Sequence, residues 1–158
     1  MIQLKTILLP TDGSECSAKA ANYALSFAKQ YGARIVALHV VDQRWEEQSR
    51  AVLTEMGQDL TQKVRAGYEE EARRIVREVA AAAVQAGIPA EARIASGIPY
   101  EEIVRVGQEV AADVIIMGTH GRTGMSHLFL GSVTEKVIRR APCPVLTVRP
   151  QEHDFVIP

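Results

Sequence analysis

The stretch Val114-Ile-Ile-Met-Gly-Thr-His-Gly121 joins an apolar run to a glycine-rich segment that continues to Gly131-Ser132, and a helical pattern follows over 133–140. This part of the chain is therefore predicted to form a buried strand, then a glycine-rich loop, then the start of a helix. Glycine lets a ligand approach the main chain closely. A helix start offers unpaired N–H groups and a partial positive charge. Together these features predict an anion site, for which phosphate is the usual occupant.

Composition narrows the class of protein. The chain has 158 residues, of which 47% are hydrophobic and 23% charged, with a net charge of −1. This length fits one domain with a real core. Without a basic excess, binding to nucleic acid is not expected. No apolar run has the length of a membrane span, so no membrane association is expected either.

The two cysteines and the start of the chain point to a compartment. Cys16 and Cys143 lie far apart and in no metal or redox spacing. This spacing favours buried, reduced thiols. Residues 1–5 lead directly into a strand pattern, and we expect no signal peptide. We therefore expect a cytoplasmic protein.

Five segments have strand patterns. The short apolar runs 6–9 and 114–117 predict central strands, whereas the alternation over 91–95 predicts a strand near the sheet edge. Segments 34–41 and 145–148 complete the set.

Four helical segments lie between the strands. Ser14 is a candidate N-cap and Gly32 a candidate stop for the first, and a long alanine-rich pattern covers 60–86. Pro99 suits the first position of the third helix, and 133–140 forms the last. Segment 43–59 is the least regular, with at most a short helical turn, and it contains the only tryptophan, Trp45.

This alternation predicts an α/β sandwich around a five-stranded, mostly parallel sheet of order 3-2-1-4-5, with helices on both faces. Such a fold is Rossmann-like or flavodoxin-like. The winding reverses between strands one and four, where ligands bind at the carboxyl ends of the strands. The loops that meet there are 10–14 and 118–132. We expect residues 1–150 to form one domain and 151–158 a C-terminal tail.

Longer motifs resemble the universal stress protein family over residues 3–150. The landmarks are Ile-Leu-Leu-Pro-Thr-Asp-Gly-Ser over 7–14, Leu-His-Val-Val-Asp over 38–42, Gly-Ile-Pro-Tyr-Glu-Glu-Ile over 97–103, Ile-Ile-Met-Gly-Thr-His-Gly over 115–121, Gly-Ser-Val-Thr over 131–134 and Pro-Cys-Pro-Val over 142–145. The spacing of Gly118, Gly121 and Gly131-Ser132 is similar to the ATP-binding signature of that family. A bare Gly-x-x-Gly would instead favour a surface loop with glycines at its turns. The resemblance implies a dimer that binds ATP or a related adenine nucleotide, with Mg²⁺ or Mn²⁺, and acts as a nucleotide-dependent switch in a stress response.

The expected nucleotide site follows from the resemblance and the loop chemistry. It comprises Pro10, Thr11, Asp12, Val40, Met117, Gly118, His120, Gly121, Arg122, Gly131, Ser132, Val133 and Thr134. The glycines would admit ribose and phosphates, and the residues after Gly131 would offer hydroxyl and N–H groups. Val40 would present its backbone to adenine.

Three of these residues have an alternative interpretation. Asp12 would contact ribose or a divalent ion, but it also suits a turn. Arg122 would add charge to the loop, although solvated loop arginines are as common. His120 has no identifiable partner, so a surface or hydrogen-bonded histidine is favoured over a catalytic one. His39 is interpreted as a satisfied interior histidine.

Catalysis finds little support in the sequence. There is no P-loop lysine, no histidine pattern of a nucleotidyltransferase and no pairing of base with nucleophile. No cluster has metal-ligand spacing. We expect no catalytic residues, and a slow nucleotide-hydrolysing or nucleotide-transferring enzyme is the alternative. A phosphoacceptor switch is disfavoured because Ala95-Ser96-Gly97 and Arg149-Pro150 stand where such a protein carries its aspartate and lysine.

Two further expectations concern surfaces. The apolar strand 145–148 is last in the sheet and lacks lysine, so it should pair with its own copy in a homodimer. The alternative is a tail, with Phe155, Val156 and Ile157, that folds back over this edge. Trp45 follows the end of strand two, so it should lie at the nucleotide mouth, in a mobile lid.

Overall fold

The structure is a computed structural model that describes residues 1, 3–121 and 130–153. Its elements, in chain order, are β1 Thr6–Pro10, α1 Glu15–Tyr31, β2 Arg34–Asp42, α2 Arg44–Gln48, α3 Arg50–Met56, α4 Gln58–Gln85, β3 Ala90–Gly97, α5 Pro99–Glu109, β4 Val114–Gly118, α6 Ser132–Arg140 and β5 Val145–Val148. The five predicted strands are all present.

The sheet has the predicted order, β3-β2-β1-β4-β5. Each pairing between these strands is parallel. Ile7 of β1 lies opposite Ile35 of β2 on one side and Val114 of β4 on the other. The winding therefore reverses between β1 and β4, which brings the carboxyl ends of these two strands together as predicted.

Alternate residues of the central strands divide the core into two layers, because successive side chains of a strand point to opposite faces. Ile7 and Leu9 of β1 pack in one cluster with apolar residues of α1 and α4. Leu8 packs in the other, with residues of α5 and α6. All three are fully buried. Helices thus cover both faces of the sheet, which confirms the predicted architecture.

The predicted ends of α1 are confirmed. Ser14 is the N-cap, and its side chain accepts a hydrogen bond from the N–H of Ser17 at 3.2 Å. Gly32 ends the helix in the left-handed conformation, with φ of 67°. Pro99 likewise occupies the first turn of α5. These signals are local, so they could be recognised without the fold.

The sequence analysis predicts that segment 43–59 is the least regular part of the chain, whereas the structure shows helices there. The segment forms α2, α3 and the start of α4, so the described residues contain six helices rather than four. Asp42 stabilises the start of α2, where its Oδ1 accepts from the N–H of Arg44 at 3.0 Å. Helix α3 buries none of its residues. Without a buried face there is no apolar period, which is why the sequence did not indicate these helices.

Two other expectations concern the described part of the chain. None of its helices combines the length and the apolar character that a membrane span requires.

The hydroxyl of Tyr23 on α1 donates to the carbonyl of His153, which places the start of the predicted tail beside α1. Phe155, Val156 and Ile157 lie outside the described residues, so their predicted place over the β5 edge stays a prediction.

We expect Gly118→Ala to destabilise the fold, because α1 passes directly against the end of β4. A Cβ at Gly118 would lie 2.7 Å from Sγ of Cys16 and 3.1 Å from its carbonyl carbon. Overpacking of this kind costs about 1–3 kcal/mol. The free energy of unfolding in urea measures the effect.

Gly67→Ala is the matched control, because a Cβ there would meet nothing within 4 Å. In a helix interior this change should stabilise by roughly 0.5–1 kcal/mol. Cys16→Ala should reduce the penalty at Gly118, since it removes the nearest atom. Equal effects of the two glycine substitutions would contradict close packing at this point.

Candidate functional site

A cavity of about 600 Å³ lies at the carboxyl ends of β1, β2 and β4. Twelve of the thirteen predicted site residues line it: Pro10, Thr11, Asp12, Val40, Met117, Gly118, His120, Gly121, Gly131, Ser132, Val133 and Thr134. Arg122 lies outside the described residues. The topology therefore gathers into one cavity residues that are more than a hundred positions apart in the sequence.

The turn after β1 forms one wall. Oδ1 of Asp12 accepts a hydrogen bond from the N–H of Ser14 at 2.9 Å, so this carboxylate does stabilise the turn. Its Oδ2 lies 2.8 Å from the position that a Cβ on Gly121 would occupy. One oxygen of Asp12 thus belongs to the turn and the other faces the glycine loop. The turn-forming and ligand-facing interpretations of Asp12 are compatible.

Thr11 fixes this turn to the sheet. Its N–H donates to the carbonyl of Leu38 at 2.8 Å, and its hydroxyl donates to Oγ of Ser17 at 3.1 Å. The carbonyl oxygen of Thr11 lies 2.8 Å from Nδ1 of His39. His39 is therefore hydrogen-bonded, as predicted. It is half-buried and also lines the cavity, which the sequence did not indicate.

The two ends of the glycine-rich loop are bonded to each other. The N–H of Gly131 donates to the carbonyl of Thr119 at 2.8 Å, and Oγ1 of Thr134 donates to the carbonyl of Gly118 at 3.0 Å. A Cβ on Gly131 would lie 2.9 Å from the same Thr119 oxygen, so this close approach requires glycine. These contacts hold the start of α6 against the end of β4.

The N-terminus of α6 faces this cavity. Its N-cap is Gly131, which makes no side-chain capping bond. The first N–H groups of a helix need partners from outside the helix, and an anion is well suited to them. Ser132 and Val133, the first two residues of α6, line the cavity together with Gly131. The arrangement is that of an anion site at a helix start.

An aromatic pair forms the wall beyond β2. The ring centroids of Trp45 and Tyr68 are 4.7 Å apart, and both residues line the cavity. The prediction that Trp45 lies at the mouth of the site is therefore confirmed in position. The guanidinium of Arg44 bonds both carboxylate oxygens of Asp42, which anchors α2 to the end of β2. These hydrogen bonds from Arg44 lower the pKa of the Asp42 carboxyl.

The sequence did not indicate several residues of this wall. Tyr68 belongs to the long helix α4, and Pro99 and Ile103 belong to α5. Each looks like an ordinary helical position, because only tertiary packing turns it toward the cavity. Pro99 and Ile103 stood in a recognised landmark, 97–103, which was the one signal available for them. Arg44 had none.

His120 has one nitrogen paired and one unpaired. Its Nδ1 lies 2.9 Å from Oγ1 of Thr119. Its Nε2 is buried and has no hydrogen-bond partner among the described residues. The predicted hydrogen-bonded histidine is therefore found, with one buried atom left over. Residues 1, 3–121 and 130–153 contain no group of three or more acidic, histidine or cysteine side chains placed to hold a metal ion.

A parallel sheet whose switch point carries a cavity, a glycine-loop end and a helix start defines a Rossmann-like α/β protein. The family model of the universal stress proteins matches residues 3–149. The chain therefore belongs to the universal stress protein family.

Individual relatives agree in sequence and fold. The chain is 37% identical to universal stress protein MJ0531 of Methanocaldococcus jannaschii, over 92% of this chain and 82% of that protein. The solved structure of MJ0577 superposes with a TM-score of 0.83 at 31% identity, covering 96% of this chain and all of the other. A universal stress protein solved in complex with cAMP has a TM-score of 0.67 at 24% identity, covering 95% of this chain and all of the other. The last likeness shows a shared fold alone.

We expect saturating ATP to change the fluorescence of Trp45. It is the only tryptophan in the chain, and it lines the cavity with its ring against Tyr68. A base at the end of β2 would alter the surroundings of this ring pair. Inorganic triphosphate, which lacks the base, is the control and should change the emission less. An unchanged spectrum under conditions where calorimetry shows ATP bound would place Trp45 away from the base.

Proposed function

We propose that the protein binds ATP and acts as a nucleotide-dependent regulatory switch of a stress response. One observation carries the proposal: the two ends of the glycine loop, the β1 turn and the uncapped start of α6 converge on one cavity at the switch point of the sheet. Membership of the universal stress protein family supports the stress-related role.

The triphosphate fits the start of α6. The backbone of Gly131, Ser132 and Val133 would supply N–H donors, and the helix dipole favours negative charge there. Glycine at 118 and 131 lets Cys16 and the carbonyl of Thr119 pack closely against the ends of the loop, and glycine at 121 leaves room beside Oδ2 of Asp12. We also assign Arg122, which lies outside the described residues, to the charge of the loop.

Ribose and base fit the opposite part of the cavity. Oδ2 of Asp12 faces Gly121 and would accept a hydrogen bond from a ribose hydroxyl. The backbone of Val40 would meet adenine at the end of β2, with Met117 as an apolar neighbour. We assign Mg²⁺ or Mn²⁺ as the accompanying ion, held mainly by the phosphates, because divalent ions with nucleotides take few protein ligands. Asp12 would supply the protein oxygen for this ion as the alternative to its bond with ribose.

Slow nucleotide hydrolysis or transfer is the second candidate. The imidazole of His120 beside the loop favours it. However, its Nδ1 meets the hydroxyl of Thr119 rather than a carboxylate, so no base of the usual kind is oriented toward a nucleophile. Binding is therefore the better-supported function. Turnover of about 1 per second or more, abolished by a substitution in the site, would favour the enzyme instead.

We further propose a homodimer through β5. This strand pairs with β4 on one side and stands last in the sheet. The carbonyls of Pro144 and Val148 accept bonds from the β4 side at 3.0 Å. By alternation, Val145 and Thr147 direct their N–H and C=O groups away from β4, toward the open edge. An apolar edge of this kind is an aggregation hazard unless it is covered.

The remaining assignments complete the proposal. Residues 1–150 form one nucleotide-binding domain, which the extent of the family match supports, and 151–158 form a tail. The protein is cytoplasmic. No nucleic acid partner is proposed, because the net charge is only −1.

We expect Gly131→Val to remove ATP binding. Its Cβ would lie 2.9 Å from the carbonyl oxygen of Thr119, so the start of α6 must move away from β4. Calorimetry should show at least a tenfold loss of affinity, about 1.4 kcal/mol. Gly67→Val makes the same change at an open position and should bind ATP like the parent. Unchanged affinity in a folded Gly131→Val protein would contradict the phosphate-loop assignment.

We expect the parent to be a dimer in light scattering and Thr147→Pro to be a monomer. Proline at this position removes an N–H from the open side of β5, whereas the bonds to β4 are made by the alternate residues. Thr147→Val keeps the N–H and should remain dimeric. Leu146 is less suitable for such a test, because it packs against the α1 side of the core. A monomeric parent would show that the edge does not pair with a second copy.

A further inference from the structure

The side of α6 that faces α5 places two positive charges against one aromatic ring. Nζ of Lys136 lies 4.8 Å from the ring centroid of Tyr100, and Cζ of Arg140 lies 5.1 Å from it. Tyr100 is half-buried in the first turn of α5, and its hydroxyl donates to Oε1 of Glu101 at 2.7 Å. We call Tyr100, Lys136 and Arg140 the cation cluster.

The two cations of this cluster lack an acidic partner. Neither Lys136 nor Arg140 forms an ion pair with an acidic residue of the described chain. By contrast Arg139, which lies between them in sequence, pairs with Glu135 at 3.0 Å. Lys136 and Arg140 are four residues apart on α6, and like charges at this spacing destabilise a helix. Contact with the ring offsets part of this repulsion, and a bound anion would relieve the rest.

The cation cluster lies next to the cavity on both helices. Ser132 lines the cavity, and Lys136 follows it by one turn on α6. Helical side chains tilt toward the helix N-terminus, so the stem of Lys136 runs back toward that turn. On α5, Tyr100 comes directly after Pro99, which also lines the cavity. The flexible four-carbon stem of lysine lets the ammonium exchange the ring for a ligand at this end of the cavity.

The cavity lining has little positive charge of its own to offer a triphosphate. Arg44 is the one lysine or arginine among the described residues that line it, and its guanidinium is bonded to Asp42. Asp12 adds a further carboxylate. The start of α6 and the proposed divalent ion compensate part of the phosphate charge. The cation cluster is placed to supply the remainder.

We propose that Lys136 binds the terminal phosphate of a nucleoside triphosphate and thereby makes the site selective for triphosphates over monophosphates. The inference rests on the proposed function and deepens it. When a triphosphate enters, the ammonium of Lys136 leaves Tyr100 and donates to a terminal phosphate oxygen. Arg140 stays over the ring and adds its charge from one turn further along α6. No covalent bond forms or breaks.

The cation cluster makes occupancy of the site depend on the length of the phosphate chain. A monophosphate ends at the start of α6 and gains nothing from Lys136. The base and the ribose contribute equally to the binding of both nucleotides, so they do not discriminate between them. The site then responds to the ratio of ATP to AMP rather than to the total amount of adenine nucleotide.

The test compares Lys136→Gln and Arg140→Gln with the parent. ATP, ADP and AMP are each titrated by calorimetry in the presence of Mg²⁺. Glutamine removes the charge, yet it remains a good helix former. Arg139→Gln is the matched control, because it removes the same charge from the same helix at a position that pairs with Glu135. Lys136→Arg keeps the charge at the position under test.

The parent should bind ATP at least about tenfold more tightly than AMP, which corresponds to 1.4 kcal/mol. Lys136→Gln should reduce this ratio on the order of tenfold, through weaker binding of ATP at unchanged affinity for AMP. Arg140→Gln should reduce it less, because its charge lies further from the cavity. ADP should give an intermediate loss. Arg139→Gln should keep the ratio of the parent, and Lys136→Arg should keep most of it.

Equal affinity of the parent for ATP and AMP would overturn the inference. Equal losses for both nucleotides in Lys136→Gln would also overturn it, because they would assign Lys136 to the packing of α5 against α6. An equal loss of selectivity in Arg139→Gln would show a general effect of charge on α6 instead. Absence of binding of all three nucleotides by the folded parent would overturn the proposed function itself, which is a distinguishable failure.

Discussion

The hydrogen bond from Gly131 to the carbonyl of Thr119, 2.8 Å long, is the contact on which the site depends. With the bond from Thr134 to Gly118, it closes the glycine-rich loop and sets the start of α6 at the end of β4. Both acceptors are backbone carbonyls, and the donors are the N–H of Gly131 and the hydroxyl of Thr134, so one main-chain and one side-chain contact fix the position of α6. The helix N-terminus, the strand end and the β1 turn then share one cavity.

The walls of this cavity differ in how firmly they are held. The ends of β1 and β4 belong to fully buried strands. The aromatic wall belongs to α2 and to the outer part of α4, whose buried residues lie at 72, 75, 76 and 83, beyond Tyr68. Helix α3 between them buries nothing. Regions with few buried contacts open most readily, and α3 is such a region.

Local chemistry explains which parts of the site could be predicted. Gly118, Gly121 and Gly131 form a pattern within one loop, and Asp12 lies in a turn whose residues are characteristic. Tyr68 joins the site from within the long helix α4, where the sequence shows only a helical period. The helices after Asp42 were missed for a related reason. Helix α2 is held by a contact with Asp42 and by the ring pair of Trp45, and α3 buries none of its residues.

The sequence by itself determined the strands, the main helices, their caps and the order of the sheet. These follow from periodicity, from turn residues and from the handedness of crossovers, all of which act over short stretches or depend on topology alone. Only the tertiary structure decided that Cys16 packs against Gly118, that two aromatic rings pack together in the cavity wall, and that Nε2 of His120 is buried without a partner among the described residues. The physical reason is that burial and hydrogen bonding between distant segments depend on three-dimensional packing, which a linear sequence pattern does not describe.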